Sequence, residues 1–358
     1  MPRYSKQIGV VRRRSQAMAD RSPTVGAAGS PAAKGYEPDV PITTSPMFDW
    51  PPRPLATLLY LVKPVVLPYG VFWVALAALC WNYLTPSMER MASLRPGWML
   101  QIYLRNALIL TAVAGALHLA LYVSRAQQQR YKYNRQWMST TNREFLWTNQ
   151  TRDNVFWSLA SGVTIWTAYE SLTMWFYAND WIPSVAWSSG WPYLSVLTVG
   201  VFLWSVTHFY LNHRLLHVRW FYDHAHYLHH RNVNTGPWTG ISMHPLEHLI
   251  YFSVFALWWV VPAHPFIVIL GGLFQGVSPA VSHSGFERFE VGRREGPSTP
   301  GADYFHHLHH RYFECNYGNR PVPIDKLFGT FHDGTPEAHA RMRQRMKARR
   351  GAQATTQS

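Results

Sequence analysis

Long apolar stretches separated by short polar segments dominate the chain between residues 64 and 211. Four such stretches occupy residues 64–84, 107–123, 155–178 and 193–211. The first carries no formal charge, and at 1.5 Å per residue a helix of this length crosses the roughly 30 Å hydrocarbon core of a bilayer. The pattern predicts an all-α integral membrane protein with about four transmembrane helices.

A fifth apolar stretch, residues 249–282, is interrupted by Pro262 and Pro265. Each half is marginal for a full crossing, so we expect a re-entrant or shallow helical hairpin. Basic residues precede the first stretch and fill the loop between the second and third, which places both segments on the cytoplasmic side by the positive-inside rule. Four crossings then return the chain to that side at His213, which predicts a cytosolic, histidine-rich helical cap.

Composition agrees with a membrane location. The chain contains 17 Trp, 19 Tyr and 18 Phe among 358 residues, and aromatic rings favour the headgroup level of membranes. Its net charge of +14 flanks the apolar stretches and the tails without a nucleic-acid-binding motif, so we expect attraction to anionic lipid and no nucleic-acid partner. The two cysteines, Cys80 and Cys315, do not suggest a disulfide framework.

Fifteen of the 18 histidines lie between His208 and His310, and eight of them form three compact boxes. The boxes are His213 and His217; His226, His229 and His230; and His306, His309 and His310. Spacings of three and four residues put side chains on one face of a helix, about 5 to 6 Å apart between Cβ atoms. A lone histidine is ordinarily a hydrogen-bonded residue, but here the pattern H-x2-H-H occurs twice in aromatic, non-repetitive sequence. The boxes therefore predict metal binding.

Eight convergent histidines exceed the ligands of one tetrahedral ion, so two ions are expected. Imidazole suits zinc, copper, iron and nickel, so the ligand type alone leaves the metal open. A pair of ions beside a membrane suits dioxygen activation, because the metal must carry the chemistry that breaks an unactivated C–H bond. On this argument iron is the expected native metal, with zinc as a substitute acquired during purification.

Seven short motifs extend the boxes. They are N-H-R-L-L-H (212–217), H-Y-L-H-H (226–230), H-P-L-E (244–247), H-S-G-F-E (283–287), H-H-L-H-H (306–310), N-Y-G (316–318) and D-K-L-F-G-T (325–330). Their order and spacing resemble the fatty acid hydroxylase superfamily, which includes sterol C5-desaturases and sterol C4-methyl oxidases, over roughly residues 150–335. The resemblance implies a di-iron membrane oxidoreductase that uses O2 as co-substrate to hydroxylate or desaturate a sterol, fatty acyl or related lipid. It also implies a separate electron donor of the cytochrome b5, ferredoxin or reductase type.

Carried onto this chain, the resemblance makes the eight box histidines catalytic metal ligands and adds His244 and His283 to the metal set. His248 is expected to support the site at most from outside the ligand set. His307 projects about 100° from His306 on a helix, so we expect it to face solvent or another element.

Carboxylates beside the boxes are candidates to accept the second N–H of a ligating imidazole, which would orient the ring. These are Asp223, Glu247, Glu287 and Asp303, and each is equally well explained as a surface charge. Glu170 lies inside an apolar stretch, where a carboxylate is costly, so we expect it to pair with a polar neighbour or to line a substrate path.

Two other classes of function compete with the oxidase. A membrane metal transporter or sensor predicts ligands distributed within the spans, whereas these histidines cluster beyond them. A non-catalytic membrane protein with a structural zinc would need only about four ligands.

The predicted organisation has four parts. They are a flexible N-terminal extension (1–50), a transmembrane hairpin with a basic loop (51–150), a fatty acid hydroxylase-like catalytic domain (151–335) and a basic C-terminal tail (336–358).

Overall fold

The computed structural model describes residues 35–62, 69–292 and 296–356, with side chains up to residue 348. Its helices are α1 (Pro54–Leu61), α2 (Tyr69–Leu84), α3 (Met88–Met91), α4 (Pro96–Val123), α5 (Gln150–Phe156, Trp157–Val163 and Thr164–Ala178), α6 (Trp187–Leu216), α7 (Arg219–Phe221, Tyr222–His226 and Tyr227–His230), α8 (Pro245–Tyr251 and Phe252–Trp259), α9 (Pro265–Ser282), α10 (Tyr304–Tyr312) and α11 (Pro336–Thr356). Short 3-10 turns are Pro46–Phe48, Leu146–Thr148, Pro237–Thr239 and Ile324–Lys326. The strands β1 (Arg288–Glu290) and β2 (Ser298–Pro300) pair antiparallel, with Phe289 opposite Thr299.

The all-α membrane fold is confirmed. Helices α4, α6 and α9 are long and apolar enough to cross a bilayer, and α2 is a shorter apolar helix. The predicted stretch 64–84 corresponds to α2, with residues 64–68 outside the described part of the chain. Helix α4 starts well before the predicted 107–123 because Pro96 occupies its first turn, where a missing N–H costs nothing.

The broken stretch 249–282 divides close to the expected point. Helix α9 begins at Pro265, and the ring of His264 caps it by accepting a hydrogen bond from the backbone N–H of Phe266 (3.1 Å). The part before the break bends from α-helix into a 3-10 turn at Phe252, whereas α9 alone has the length and composition of a span. Most of α9 is buried within the bundle, so it contacts protein more than it would contact lipid.

Helix α9 is the centre of the membrane bundle and packs on α2, α4, α5 and α6. Close approach to α5 depends on Gly276, because a Cβ there would lie 2.6 Å from ring atoms of Trp166. A second buried cluster, which includes Phe305, Leu308 and Met342, joins α10 to α11. We call residues 213–248 and 283–335, which include the last turn of α6, the cap.

The described part of the predicted N-terminal extension is bound to the rest of the protein. The backbone N–H of Tyr36 donates to the carbonyl of Lys132 (2.7 Å), and that of Ile42 donates to the carbonyl of Asp333 (2.7 Å). Residues 35–45 therefore lie against the cap and the basic loop, in contrast to the flexible segment expected for this stretch. Residues 1–34 lie outside the described residues.

Glu170 pairs with Arg105 inside the bundle, as one of the two sequence-based alternatives proposed. The guanidinium also donates to Thr85 Oγ1 (3.1 Å), and the Asn106 amide donates to Glu170 Oε2 (3.1 Å). Both charged side chains are buried. Removal of either one would therefore leave the other as a buried charge without a partner, which is costly in free energy.

We therefore expect Glu170→Ala to destabilise the protein by about 3 to 5 kcal/mol, because it leaves a buried guanidinium without its carboxylate. Thermal unfolding in lipid nanodiscs would measure this effect, with exposed Glu89→Ala as the control. The double variant Arg105→Met, Glu170→Leu should recover much of the loss. Equal melting temperatures for Glu170→Ala and Glu89→Ala would contradict the prediction.

Candidate metal centre

Nine histidines converge in the cap as two separate groups. The first contains five and the second four, and within each group one ligand atom per residue lies within 4.8 Å of every other. The first group is His213, His217, His226, His230 and His309; the second is His229, His283, His306 and His310. All eight box histidines and His283 are thus brought together.

The two groups share the second and third boxes in opposite ways. On α7, His226 and His230 are four residues apart and face the first group, while His229 faces the second. On α10 the pattern is reversed, because His306 and His310 face the second group and His309 the first. Neighbouring residues on a helix diverge by about 100°, so the doubled histidine of H-x2-H-H directs one ring to each group. The motif's spacing is therefore suited to two ions.

Helix ends supply the other ligands. His213 lies in the last turn of the long helix α6, and His217 caps that helix by donating its backbone N–H to the carbonyl of His213 (3.2 Å). His283 is the C-cap residue of α9. The centre therefore sits where two candidate membrane spans end.

Ring nitrogens face one another at distances that suit a metal ion. Nε2 of His230 lies 3.2 Å from Nε2 of His217 and 3.0 Å from Nε2 of His309, and Nε2 of His283 lies 2.9 Å from Nε2 of His306. Ligands that bind one ion at about 2.1 Å lie roughly 3.0 to 3.4 Å from each other in octahedral or tetrahedral geometry. Both ring nitrogens of His310 are buried without a hydrogen-bond partner among the described residues. The donor set therefore fits bound metal.

Hydrogen bonds on the outer side orient several rings. Nδ1 of His213 lies 2.7 Å from the carbonyl of Tyr317, and Nδ1 of His309 lies 2.7 Å from that of Cys315. Nδ1 of His283 lies 3.0 Å from the carbonyl of Pro279. A carbonyl can only accept, so each Nδ1 carries the proton and Nε2 is left free to bind metal.

Glu247 plays the same part through its side chain. Its Oε1 accepts a hydrogen bond from Nδ1 of His226 (2.7 Å), and both groups are buried. Burial raises the pKa of the Glu247 carboxyl well above its usual range. Of the four candidate carboxylates, Glu247 is the one that the described structure places on a group histidine.

The other three carboxylates have different partners. Asp223 forms a long pair with Arg219 (3.6 Å) at the surface, and Glu287 is hydrogen-bonded by the hydroxyl of Tyr133. Asp303 pairs with Arg320 (3.1 Å) and accepts from the backbone N–H of Phe305 at the start of α10. These contacts are with residues other than the histidines of the two groups.

Burial keeps the rings neutral. It is the main cause that lowers the pKa of His229 to about 4, and it lowers the pKa of His226, His306 and His310 well below the usual value. Metal binds only the neutral imidazole, so these rings are in the ligating state at neutral pH.

His244, expected as a ligand from the resemblance, lies in neither group. Its Nδ1 accepts a hydrogen bond from the backbone N–H of Leu246 (3.2 Å) and so caps α8. His248, one turn further on, lies between Ser161 Oγ (2.9 Å) and the carbonyl of Ile241 (3.1 Å). Both histidines at the start of α8 thus have protein partners outside the two groups.

His307 packs on another element. Its ring stacks on Tyr133 of the basic loop with 4.6 Å between the ring centroids. This is one of the two positions expected from its angle on the helix.

A supporting residue that the sequence analysis did not single out is Asp325. Its carboxylate accepts hydrogen bonds from the backbone N–H groups of Tyr317 (2.9 Å) and Gly318 (2.8 Å) and from the hydroxyl of Thr330 (2.6 Å). These bonds hold the segment whose carbonyl orients His213. Both residue sets belong to motifs in the sequence, N-Y-G and D-K-L-F-G-T. The sequence does not predict that the two motifs contact each other, because only the fold brings them together.

Together, the fold and the site define a helical membrane protein with two buried groups of histidines, each of which could hold a metal ion. Residues 197–330 match the model of the fatty acid hydroxylase family. The resemblance inferred from the motifs is confirmed, since this part of the chain is similar to the fatty acid hydroxylase family.

Three relatives illustrate the similarity. A Dictyostelium discoideum protein assigned as a methylsterol monooxygenase is 34% identical over 152 residues, which cover 39% of this chain and 52% of that one. A very-long-chain aldehyde decarbonylase of Oryza sativa subsp. indica is 33% identical (40% and 56% covered), and a Delta(7)-sterol 5(6)-desaturase of Gibberella zeae is 26% identical (41% and 45% covered). The chain thus spans about half the length of these relatives, and no solved structure matches it.

Loss of one histidine from either group should remove one ion and leave the other. We expect about two ions per chain in the wild type and about one in His217→Ala or His283→Ala. Metal analysis after mild purification would measure both.

The variant His244→Ala distinguishes two predictions, because the family resemblance makes His244 a metal ligand whereas the structure places it outside both groups. We expect it to keep about two ions, because the ring lies outside both groups. Loss of an ion from His244→Ala, or of both ions from each single-group variant, would contradict the division into two groups.

Glu247→Ala should weaken metal binding by about 10- to 100-fold at the first group alone, because His226 loses the acceptor that orients it. Glu247→Gln retains an acceptor oxygen and should lose less. Metal titration with a competing chelator would measure both variants, and an equal loss from the two groups would contradict a local role for Glu247.

Proposed function

We propose that this protein is a membrane-bound oxidoreductase in which two iron ions use O2 to oxidise a C–H bond of a lipid. The observation that carries the proposal is the pair of interleaved histidine groups where candidate spans end. Imidazole is a suitable ligand for iron, and the five rings of the first group exceed the roughly four ligands that a structural zinc needs.

The two groups are the proposed ligand sets, and the eight box histidines are the proposed catalytic residues, with His283 as a further ligand. Iron held there would supply dioxygen activation, which side chains cannot provide. The protein's part is to bind, orient and exclude water. Burial of the rings and the hydrogen bonds on their outer nitrogens serve these ends.

A lipid substrate is supported by where the centre lies. Phe209, one turn before His213 on the candidate span α6, has its ring centroid 4.8 Å from that of His213 and 5.9 Å from that of His306. Phe209 thus contacts one ligand from each group, on the side from which an apolar chain would leave the bilayer. We propose that it positions the chain before both groups.

Names of the relatives agree with this substrate class. They include a methylsterol monooxygenase, a sterol desaturase and a very-long-chain aldehyde decarbonylase, and each of these names refers to an apolar substrate. For this chain we propose hydroxylation or desaturation of a sterol, fatty acyl or related lipid.

Electrons would come from a separate donor of the cytochrome b5, ferredoxin or reductase type. We further propose that the cap lies on the cytoplasmic side, that residues 151–335 are the catalytic domain, and that residues 51–150 form the hairpin and basic loop beside it. Residues 336–358 would form the basic tail; their described part is the helix α11.

Incubation of cells with 18O2 should separate the two reactions. A hydroxylase would yield a lipid that carries one 18O atom, whereas a desaturase would yield an alkene two hydrogens poorer without 18O. Mass spectrometry of lipids from cells producing the wild type, His309→Ala or the exposed-site control Gln344→Ala would detect either product. We expect the product from the wild type and Gln344→Ala only. Identical profiles for the wild type and His309→Ala would contradict the proposed activity.

A further inference from the structure

Two large apolar side chains stand exposed on a tight turn of the cap. Leu327 and Phe328 follow the 3-10 turn Ile324–Lys326 and are 58% and 60% exposed. Gly329 then reverses the chain with a φ of 65°, which glycine adopts without strain. We call residues 327–329 the apolar turn.

The apolar turn lies beside a candidate membrane span. Phe328 stacks on Tyr210 of α6, with 6.0 Å between the ring centroids and 21° between the planes. Tyr210 is in the penultimate turn of the span, where the neighbouring Leu211 and Leu215 are also exposed. The apolar turn therefore extends the exposed apolar surface of a helix that is itself long enough to cross the bilayer.

Charge around the apolar turn matches the edge of a bilayer. The guanidinium of Arg214 lies 5.6 Å from the ring centroid of Phe328 and 5.2 Å from that of Tyr317. Arg214 is exposed, and an exposed arginine beside aromatic rings and apolar side chains is typical of the headgroup level.

Two backbone N–H groups at the ends of the apolar turn are paired within the protein. The N–H of Leu327 donates to the carbonyl of Ile324 (2.9 Å), and that of Thr330 donates to the carbonyl of Asp325 (3.0 Å). Pairing of this kind lowers the cost of placing a turn against lipid, where no water replaces a missing partner.

We propose that the apolar turn inserts into the bilayer, with Leu327 and Phe328 among the acyl chains next to α6 and Arg214 at the headgroups. A phospholipid leaflet is the occupant favoured over a second protein because the turn continues the exposed side of a spanning helix. The same turn is tied through Asp325 to Tyr317 and hence to His213. Contact with lipid would thereby help to hold the first histidine group.

Depth-dependent quenching of a label on the apolar turn would test this insertion. The chain has only two cysteines, Cys80 and Cys315, and both are buried, so a cysteine placed on the surface can be labelled selectively. The experiment uses Phe328→Cys in the full chain, with Leu327→Cys as a second variant should the first not fold. Gln344→Cys on the exposed face of α11 is the control. Each carries an NBD label in phosphatidylcholine vesicles with or without doxyl-labelled lipid.

At position 328 or 327 we expect blue-shifted emission and quenching by doxyl lipid several-fold stronger than at position 344, with the reverse order for aqueous iodide. Strong iodide quenching without doxyl quenching at both turn positions would overturn the proposal. Protection from both quenchers would also overturn it, because the turn would then be covered by protein. The test reports bilayer contact whether or not the protein oxidises a lipid.

Discussion

The structure depends most on one constraint, which is that two sets of buried, uncharged imidazoles must point their free nitrogens at common points. Five rings in one set and four in the other come from the end of α6, from α7, from the end of α9 and from α10. Facing nitrogens about 3 Å apart are unfavourable without a shared cation, so each ring has to be fixed from outside. Carbonyls of Tyr317 and Cys315 and the carboxylate of Glu247 do this, and they in turn require the loops that carry them.

Membrane bundle and cap are mechanically one unit because ligands sit at the ends of long helices. His213 and His283 end α6 and α9, which are packed together in the bundle. A shift of α6 along its axis would move a ligand of the first group relative to α7 and α10, and a shift of α9 would move a ligand of the second group. Glycine contacts such as Gly276 against Trp166, and the buried pair of Arg105 and Glu170, therefore support the centre from a distance.

Much of this was predictable from local patterns. The apolar stretches predicted the helices α2, α4, α5 and α6, and the three boxes predicted the histidines that converge. Their periodicity could not predict that α4 begins at Pro96 or that α9 is a separate span-length helix, because packing in the bundle decides where helices end. Likewise, His244 matches a family motif, yet its ring caps α8 and lies outside both groups.

What the sequence alone determined is the set of candidate metal ligands: spacings of three and four residues give each box a ligand face, and the doubled histidines give a second direction. Only the tertiary structure decided which rings share a group. His226 and His309 are far apart in the chain and belong together, while the adjacent His309 and His310 belong to different groups. The physical reason is that a helix defines the angles between its own side chains, whereas the distance between two helices depends on everything packed around them.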